Sequence, residues 1–108
     1  MALCCCIPLT LAFSCNKAAD ACPDLEKLGA SPTPYSIPEL TNMIRTLDDS
    51  SATDDDTLNK QVMQALSDAQ ALKKIEQGGP GDVNKVENDL SNKLMDISNL
   101  CSQIVSSG

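Results

Sequence analysis

The sequence predicts an all-α protein, a small four-helix protomer built on a long αα-hairpin. Apolar residues recur at helical spacing from residue 54 to residue 105, and one break, Gly78-Gly79-Pro80-Gly81, interrupts them. Because Gly and Pro end helices, the two halves can fold back on each other. The apolar stripe of the second half consists of Val83, Val86, Leu90, Leu94, Ile97, Cys101, Ile104 and Val105. The matching row of the first half consists of Leu58, Val62, Ala65, Leu66, Ala69 and Leu72.

Two shorter helices are predicted ahead of the hairpin. Pro23 suits the first turn of a helix that Gly29 ends. The next helix begins with a capping box, in which Ser36 is followed three residues later by Glu39, and Pro38 lies in its first turn. The hairpin and these two helices together make the four-helix protomer.

The stretch from Asp48 to Asp56 is an acidic loop rich in Ser and Thr. Clustered carboxylates can hold Ca²⁺, but the spacing here fails the EF-hand pattern in both registers that begin with an aspartate, Asp48 or Asp49. Thr53 is therefore predicted to cap the first arm of the hairpin, with residues 54–56 in its first turn, where negative charge is stabilised. Asp82 is predicted to cap the second arm. The sequence thus predicts no metal site.

Composition excludes several classes of function. The net charge of −7 argues against binding to nucleic acid or to anionic membranes. The chain has no His, which excludes Ser-His-Asp and Cys-His catalysis, and it lacks a phosphate-binding Gly-rich loop. Its carboxylates are scattered on polar faces. We therefore expect neither an enzyme nor a cofactor.

The supply of core residues is also limited. The chain has 108 residues, no Trp, one Phe and one Tyr, so its core must be aliphatic. A single chain of this size and composition is marginally stable, and a disulfide or a partner chain would stabilise it.

Residues 1–19 are predicted to be a signal peptide, which places the protein outside the cell. Residues 2–13 are uncharged and have the length of a signal h-region, but they are shorter than the roughly 20 residues that span a membrane. Small residues before Cys15 and before Cys22 predict cleavage between residues 14 and 21, and residues 20–108 then form one helical domain.

Other roles for the N-terminal segment remain open. The segment lacks the basic residues of a typical signal. Lipidation of Cys15, S-palmitoylation of residues 4–6 and a buried N-terminal helix or strand are the alternatives.

Beyond the apolar segment, Cys22 and Cys101 lie near the two ends of the predicted domain. Free thiols are uncommon in secreted proteins, so both are expected to be oxidised. They can pair within one chain, or they can form two bonds between the antiparallel chains of a two-fold dimer. A third interpretation leaves Cys101 as an inert buried thiol.

Three segments of the chain resemble the secretoglobins, the uteroglobin-like secreted proteins. Asp20-Ala21-Cys22-Pro23 is similar to their acidic, apolar, Cys-Pro opening. Residues 69–75 are similar to their Leu-Lys-Lys segment, and residues 93–101 to their Lys-Leu-Met and closing Leu-Cys. The resemblance is clearest from Ala69 to Cys101.

The resemblance implies a homo- or heterodimer, linked by inter-chain disulfides of Cys22 and Cys101 around a cavity that binds a steroid-like or lipid-like molecule. Tyr35 is the one polar side chain of the implied lining. The implied lining residues are Tyr35, Leu40, Ile44, Leu47, Met63, Leu66, Leu72, Leu90, Leu94, Met95 and Ile97. The alternative function is a secreted or lipid-anchored helical protein-interaction module without a cavity.

Overall fold

The computed structural model describes residues 17–107, and in that range it contains four α-helices and no strand. The helices are α1 (Ala18–Gly29), α2 (Ile37–Asp49), α3 (Asp56–Glu76) and α4 (Val83–Ser107). The predicted all-α class and the four helices are confirmed. Most of the predicted signal peptide, residues 1–16, lies outside the described residues, as does Gly108.

The predicted αα-hairpin is formed by α3 and α4. The Nζ atom of Lys93 on α4 lies 2.8 Å from the Oδ2 atom of Asp68 on α3. Gly78 turns the chain between the helices with a φ of +105°, which side chains of other residues rarely allow. The predicted cap of the second arm is also confirmed, because Asp82 Oδ1 accepts a hydrogen bond from the backbone N–H of Lys85 at 3.1 Å.

Helix α1 lies antiparallel along α4. Cys22 and Cys101 meet at one end of the pair. At the other end Gly29 approaches the α4 backbone so closely that a Cβ atom there would lie 3.2 Å from the carbonyl oxygen of Leu94. Helix α2 packs on α3, whereas α1 and α2 make few contacts with each other. The order of neighbours is therefore α1, α4, α3, α2.

One apolar core lies between these helices, and every helix contributes to it. Burying a Leu, Ile, Val or Met side chain completely stabilises the fold by roughly 1.5–3 kcal/mol relative to leaving it exposed. The largest fully buried side chains are Leu25, Leu40, Met43, Leu47, Leu58, Val62, Leu72, Leu90, Leu94 and Ile97, together with Cys22 and Cys101. All are aliphatic or sulfur-containing, as the composition predicts.

The N-terminus of α2 forms as predicted. The Oγ atom of Ser36 accepts a hydrogen bond from the backbone N–H of Glu39 at 3.2 Å. In return, Glu39 Oε1 accepts one from the backbone N–H of Ser36 at 2.8 Å. This reciprocal pair is the capping box.

The predicted cap of α3 is wrong by two residues. Asp55 caps the helix, because its Oδ1 atom accepts a hydrogen bond from the backbone N–H of Leu58 at 2.8 Å. Thr53 is bound to Asn59 instead: its hydroxyl donates to Asn59 Oδ1 at 2.7 Å, and the Asn59 amide donates to the Thr53 carbonyl at 2.9 Å. Only Asp56 of the three aspartates lies in the first turn of α3.

Helix α1 begins upstream of the predicted start. Its first residue is Ala18. The sequence predicts Pro23 in the first turn, but Pro23 lies further inside the helix. The backbone N–H of Ala18 donates to Asp54 Oδ1 at 2.8 Å. Asp54 therefore acts as the cap of a helix 36 residues away, which no local pattern reveals.

We expect Asp54→Ala to lower the free energy of unfolding by about 1 kcal/mol, the usual effect of losing a helix cap. Asp48→Ala is the matched control, since it removes the same charge from an exposed residue at the end of α2. Urea unfolding followed by circular dichroism measures both. Equal effects of the two substitutions would show that Asp54 affects stability through its charge alone and not through the cap of α1.

Candidate functional site

Nine of the eleven predicted lining residues belong to the apolar core cluster, to which the Tyr35 loop and all four helices contribute. Seven of them are buried: Tyr35, Leu40, Leu47, Leu72, Leu90, Leu94 and Ile97. Ile44 and Leu66 are partly buried and pack at its edge. The structure thus brings these side chains together, and in the intact chain they pack against one another and their core neighbours.

Met63 and Met95 lie outside this cluster. Their exposed fractions are 59% and 55%, on the outer faces of α3 and α4. Each follows a buried residue, Val62 or Leu94, and one residue of an α-helix turns the side chain by about 100° away from its predecessor. The two methionines present separate apolar spots to solvent.

Tyr35 is the polar residue of the cluster. It is only 3% exposed, and its backbone N–H donates to Glu87 Oε2 on α4 at 3.1 Å. Burial raises the pKa of the phenol; a hydrogen bond with the Ser91 side chain acts in the opposite direction, and the negative charges of Glu87 and Glu39 raise the pKa further. The phenol therefore stays neutral, with its ring in the core and its hydroxyl against α4.

Cys22 and Cys101 form a disulfide within one chain, with their Cα atoms 5.4 Å apart. Both residues are fully buried. This is one of the two pairings that the sequence leaves open, and it closes a segment of 79 residues. The bond joins the second turn of α1 to the C-terminal part of α4.

Comparison with known proteins finds no matching family model, no similar curated protein and no similar solved structure.

A hollow of about 190 Å³ lies between α1 and the C-terminal end of α2. It is lined by Asp20, Ala21, Asp24, Asp49 and Ser50. The hollow marks the seam between α1 and α2, which make few contacts with each other. Helical periodicity predicts which faces are polar but not which polar faces meet, so the sequence carries no signal for it.

Two further findings concern metals and membranes. Within residues 17–107 there is no group of three or more Cys, Asp or Glu side chains arranged to hold a metal ion. Over the same described range, each helix is too short or too polar to cross a bilayer.

Reducing the Cys22–Cys101 disulfide should lower the free energy of unfolding by about 4 kcal/mol, because the open chain regains the entropy that a loop of this length loses. Urea titrations with and without a reductant measure the difference. In the control, Cys22→Ala with Cys101→Ala, the reductant should change nothing. An unchanged midpoint for the unmodified protein would contradict the bond.

The phenol of Tyr35 should titrate above the ordinary Tyr pKa of about 10. Because the pKa of the phenol is raised in the folded state, the contribution of the phenol to stability is complete below its unfolded-state pKa. That contribution is lost as the pH rises through the folded-state pKa. The chain has one Tyr and no Trp, so phenolate absorbance reports this group alone. A titration at or below the value for the urea-unfolded chain would contradict the described environment.

Proposed function

We propose that this protein is a secreted, non-enzymatic binding protein that holds a hydrophobic small molecule, steroid-like or lipid-like, against the aliphatic faces of α2, α3 and α4. The observation that supports the proposal is the gathering of nine predicted lining residues into one cluster. The resemblance of Cys22-Pro23 and of residues 69–101 to the secretoglobins points in the same direction.

The chemistry of the cluster suits such a ligand. Apart from Tyr35, the nine lining side chains are all Leu or Ile, and apolar side chains of this kind line most small-molecule sites. Tyr35 adds one hydroxyl at the α4 side of the cluster, where a polar group of a ligand can bind in place of Ser91. An apolar body with one polar end is the ligand that this lining fits.

The fold offers a route by which its interior can open. Helix α1 is fixed to α4 by the disulfide, and α2 packs on α3. Because α1 and α2 make few contacts, separating them breaks less packing than separating any other neighbouring pair. A ligand would enter at this seam and displace side chains that otherwise pack on one another.

The proposed assembly is a homo- or heterodimer in which the Cys22–Cys101 bond, which the structure holds within one chain, is exchanged between chains. Cys22 of each protomer then bonds to the partner's Cys101. In the single chain these two residues are neighbours. A two-fold arrangement can exchange them between chains while keeping the same pair of side chains in contact. Intact mass under non-reducing conditions tests this part: a linked pair of chains supports it, and a single oxidised chain overturns the dimer but not ligand binding.

Binding of a fluorescent fatty-acid analogue to the purified secreted protein tests the ligand. We expect saturable binding that Ala69→Leu weakens about tenfold, because Ala69 is fully buried in the apolar core and a larger side chain there occupies space that a ligand would need. Ala71→Leu is the matched control, since Ala71 is exposed on the same helix.

Tyr35→Phe provides a second variant that keeps the shape of the core. It should weaken the binding of a ligand with a polar end by up to about tenfold, because one hydrogen bond is lost. Folding of all variants is checked by circular dichroism. A folded wild-type protein that binds no analogue, and yields no lipid on extraction, would overturn the proposal.

The alternative is a helical protein-interaction module with a solid interior. One observation favours it: Leu40, Leu47, Leu72, Leu90 and Ile97 are fully buried in the intact chain, while Met63 and Met95 face solvent. An interior packed to normal density leaves no room for a ligand. The extraction experiment separates the two functions, since only the carrier retains lipid.

A further inference from the structure

The hollow between α1 and α2 has an acidic wall on each side. Helix α1 contributes Asp20 and Asp24, which lie one helical turn apart, and α2 contributes Asp49, its last residue. Carboxylates one turn apart on a helix repel each other, and the helix dipole opposes a negative charge in the last turn. The fold therefore gathers negative charge around this hollow in an unfavourable arrangement.

The two carboxylates of α1 have no basic partner among residues 17–107. The ion pairs in that range are Lys85–Asp89 and Lys93–Asp68, which lie on α3 and α4. Helix α2 has no Lys or Arg in its last turn. The potential at the hollow therefore favours a cation that comes from outside this part of the chain.

A buried hydroxyl on the same hollow is an independent sign of a ligand. Ser50 borders the hollow and is only 6% exposed. Its backbone N–H donates to the carbonyls of Thr46 and Leu47, but its side-chain hydroxyl has no hydrogen-bond partner among the described residues. Buried polar groups are rarely left in this state, because it lowers stability. An N–H donor of a bound molecule would satisfy the hydroxyl oxygen.

The size and lining of the hollow define the class of that molecule. Its volume of about 190 Å³ is below the roughly 300–1,000 Å³ of sites for drug-sized ligands, so the molecule is small. An ammonium group has three N–H donors and makes charge-assisted hydrogen bonds to carboxylates. Because the acidic side chains come from two helices, a molecule with an ammonium group at each end contacts both walls, and its methylene groups lie against Ala21.

We infer that this hollow binds a small aliphatic diamine, with one ammonium group at Asp20 and Asp24 and the other at Asp49 and Ser50. The bound diamine contacts both helices and holds α1 and α2 together at their seam. The inference goes beyond the proposed function and does not depend on it, because none of the residues that line the hollow belongs to the predicted lipid-binding lining.

Titration of the purified, oxidised protein with the diamine putrescine, followed by amide NMR shifts, tests the inference. The amides of Ala21 and Ser50 should shift saturably, and added salt should weaken binding because the contacts are ionic. Butylamine, which has one ammonium group, should bind about fivefold more weakly. Saturating putrescine should also raise the melting temperature, because a ligand that binds only the folded state stabilises it.

Three variants locate the site. Asp24→Asn should weaken putrescine binding about fivefold. Asp48→Asn is the matched control: it removes the same charge from an exposed aspartate at the end of α2 that does not line the hollow, and it should change binding less than about twofold. Ser50→Ala should weaken binding about fivefold and leave the free protein at least as stable, because the hydroxyl has no partner there.

Four results would overturn the inference: no saturable shift, equal effects of Asp24→Asn and Asp48→Asn, equal affinity for butylamine and putrescine, or tighter binding of Ca²⁺ than of putrescine at the same amides. The second would indicate general attraction by the net charge, and the last would indicate a metal site. A protein that binds putrescine but not the fatty-acid analogue leaves the inference standing and counts against the proposed function alone.

Discussion

The disulfide between Cys22 and Cys101 is the constraint on which the arrangement of the helices depends. It fixes α1 against α4, and Gly29 then allows the far end of α1 to approach Leu94. The next helix, α2, packs on α3, which lies beside α4 in the hairpin. The bond stabilises a short chain with an aliphatic core, because it reduces the conformational entropy of the unfolded state.

Local signals in the sequence predict most of the fold. The capping box of α2, the Gly-Pro break between α3 and α4, and the cap at Asp82 each depend on residues within a few positions of one another. Helical spacing is wrong for Val105, which it places on the apolar stripe of α4 and which is 52% exposed. The same spacing correctly predicts that Leu90, Leu94 and Cys101 lie in the core. These features agree with the structure because helix formation and capping are decided within one or two turns.

Features that depend on residues far apart in the sequence could not be predicted from local patterns. Asp54 looks like part of the first turn of α3, yet it caps α1. The acidic hollow between α1 and α2 depends on two polar faces whose meeting no periodicity predicts. The candidate site shows a related limit: an apolar stripe predicts that Leu72 and Leu90 are buried, but a side chain in a solid core and one that lines a ligand site carry the same pattern.

The pairing of the first described helix with the last has a consequence for biosynthesis. Ribosomes make α1 long before α4, and 79 positions separate the two bonded sulfur-bearing residues. Until α4 emerges, α1 lacks most of the surface on which it packs, and the Cys22 thiol has no native partner. Native oxidation therefore cannot proceed stepwise with translation, and an oxidant or chaperone would meet α1 as an unprotected amphipathic segment.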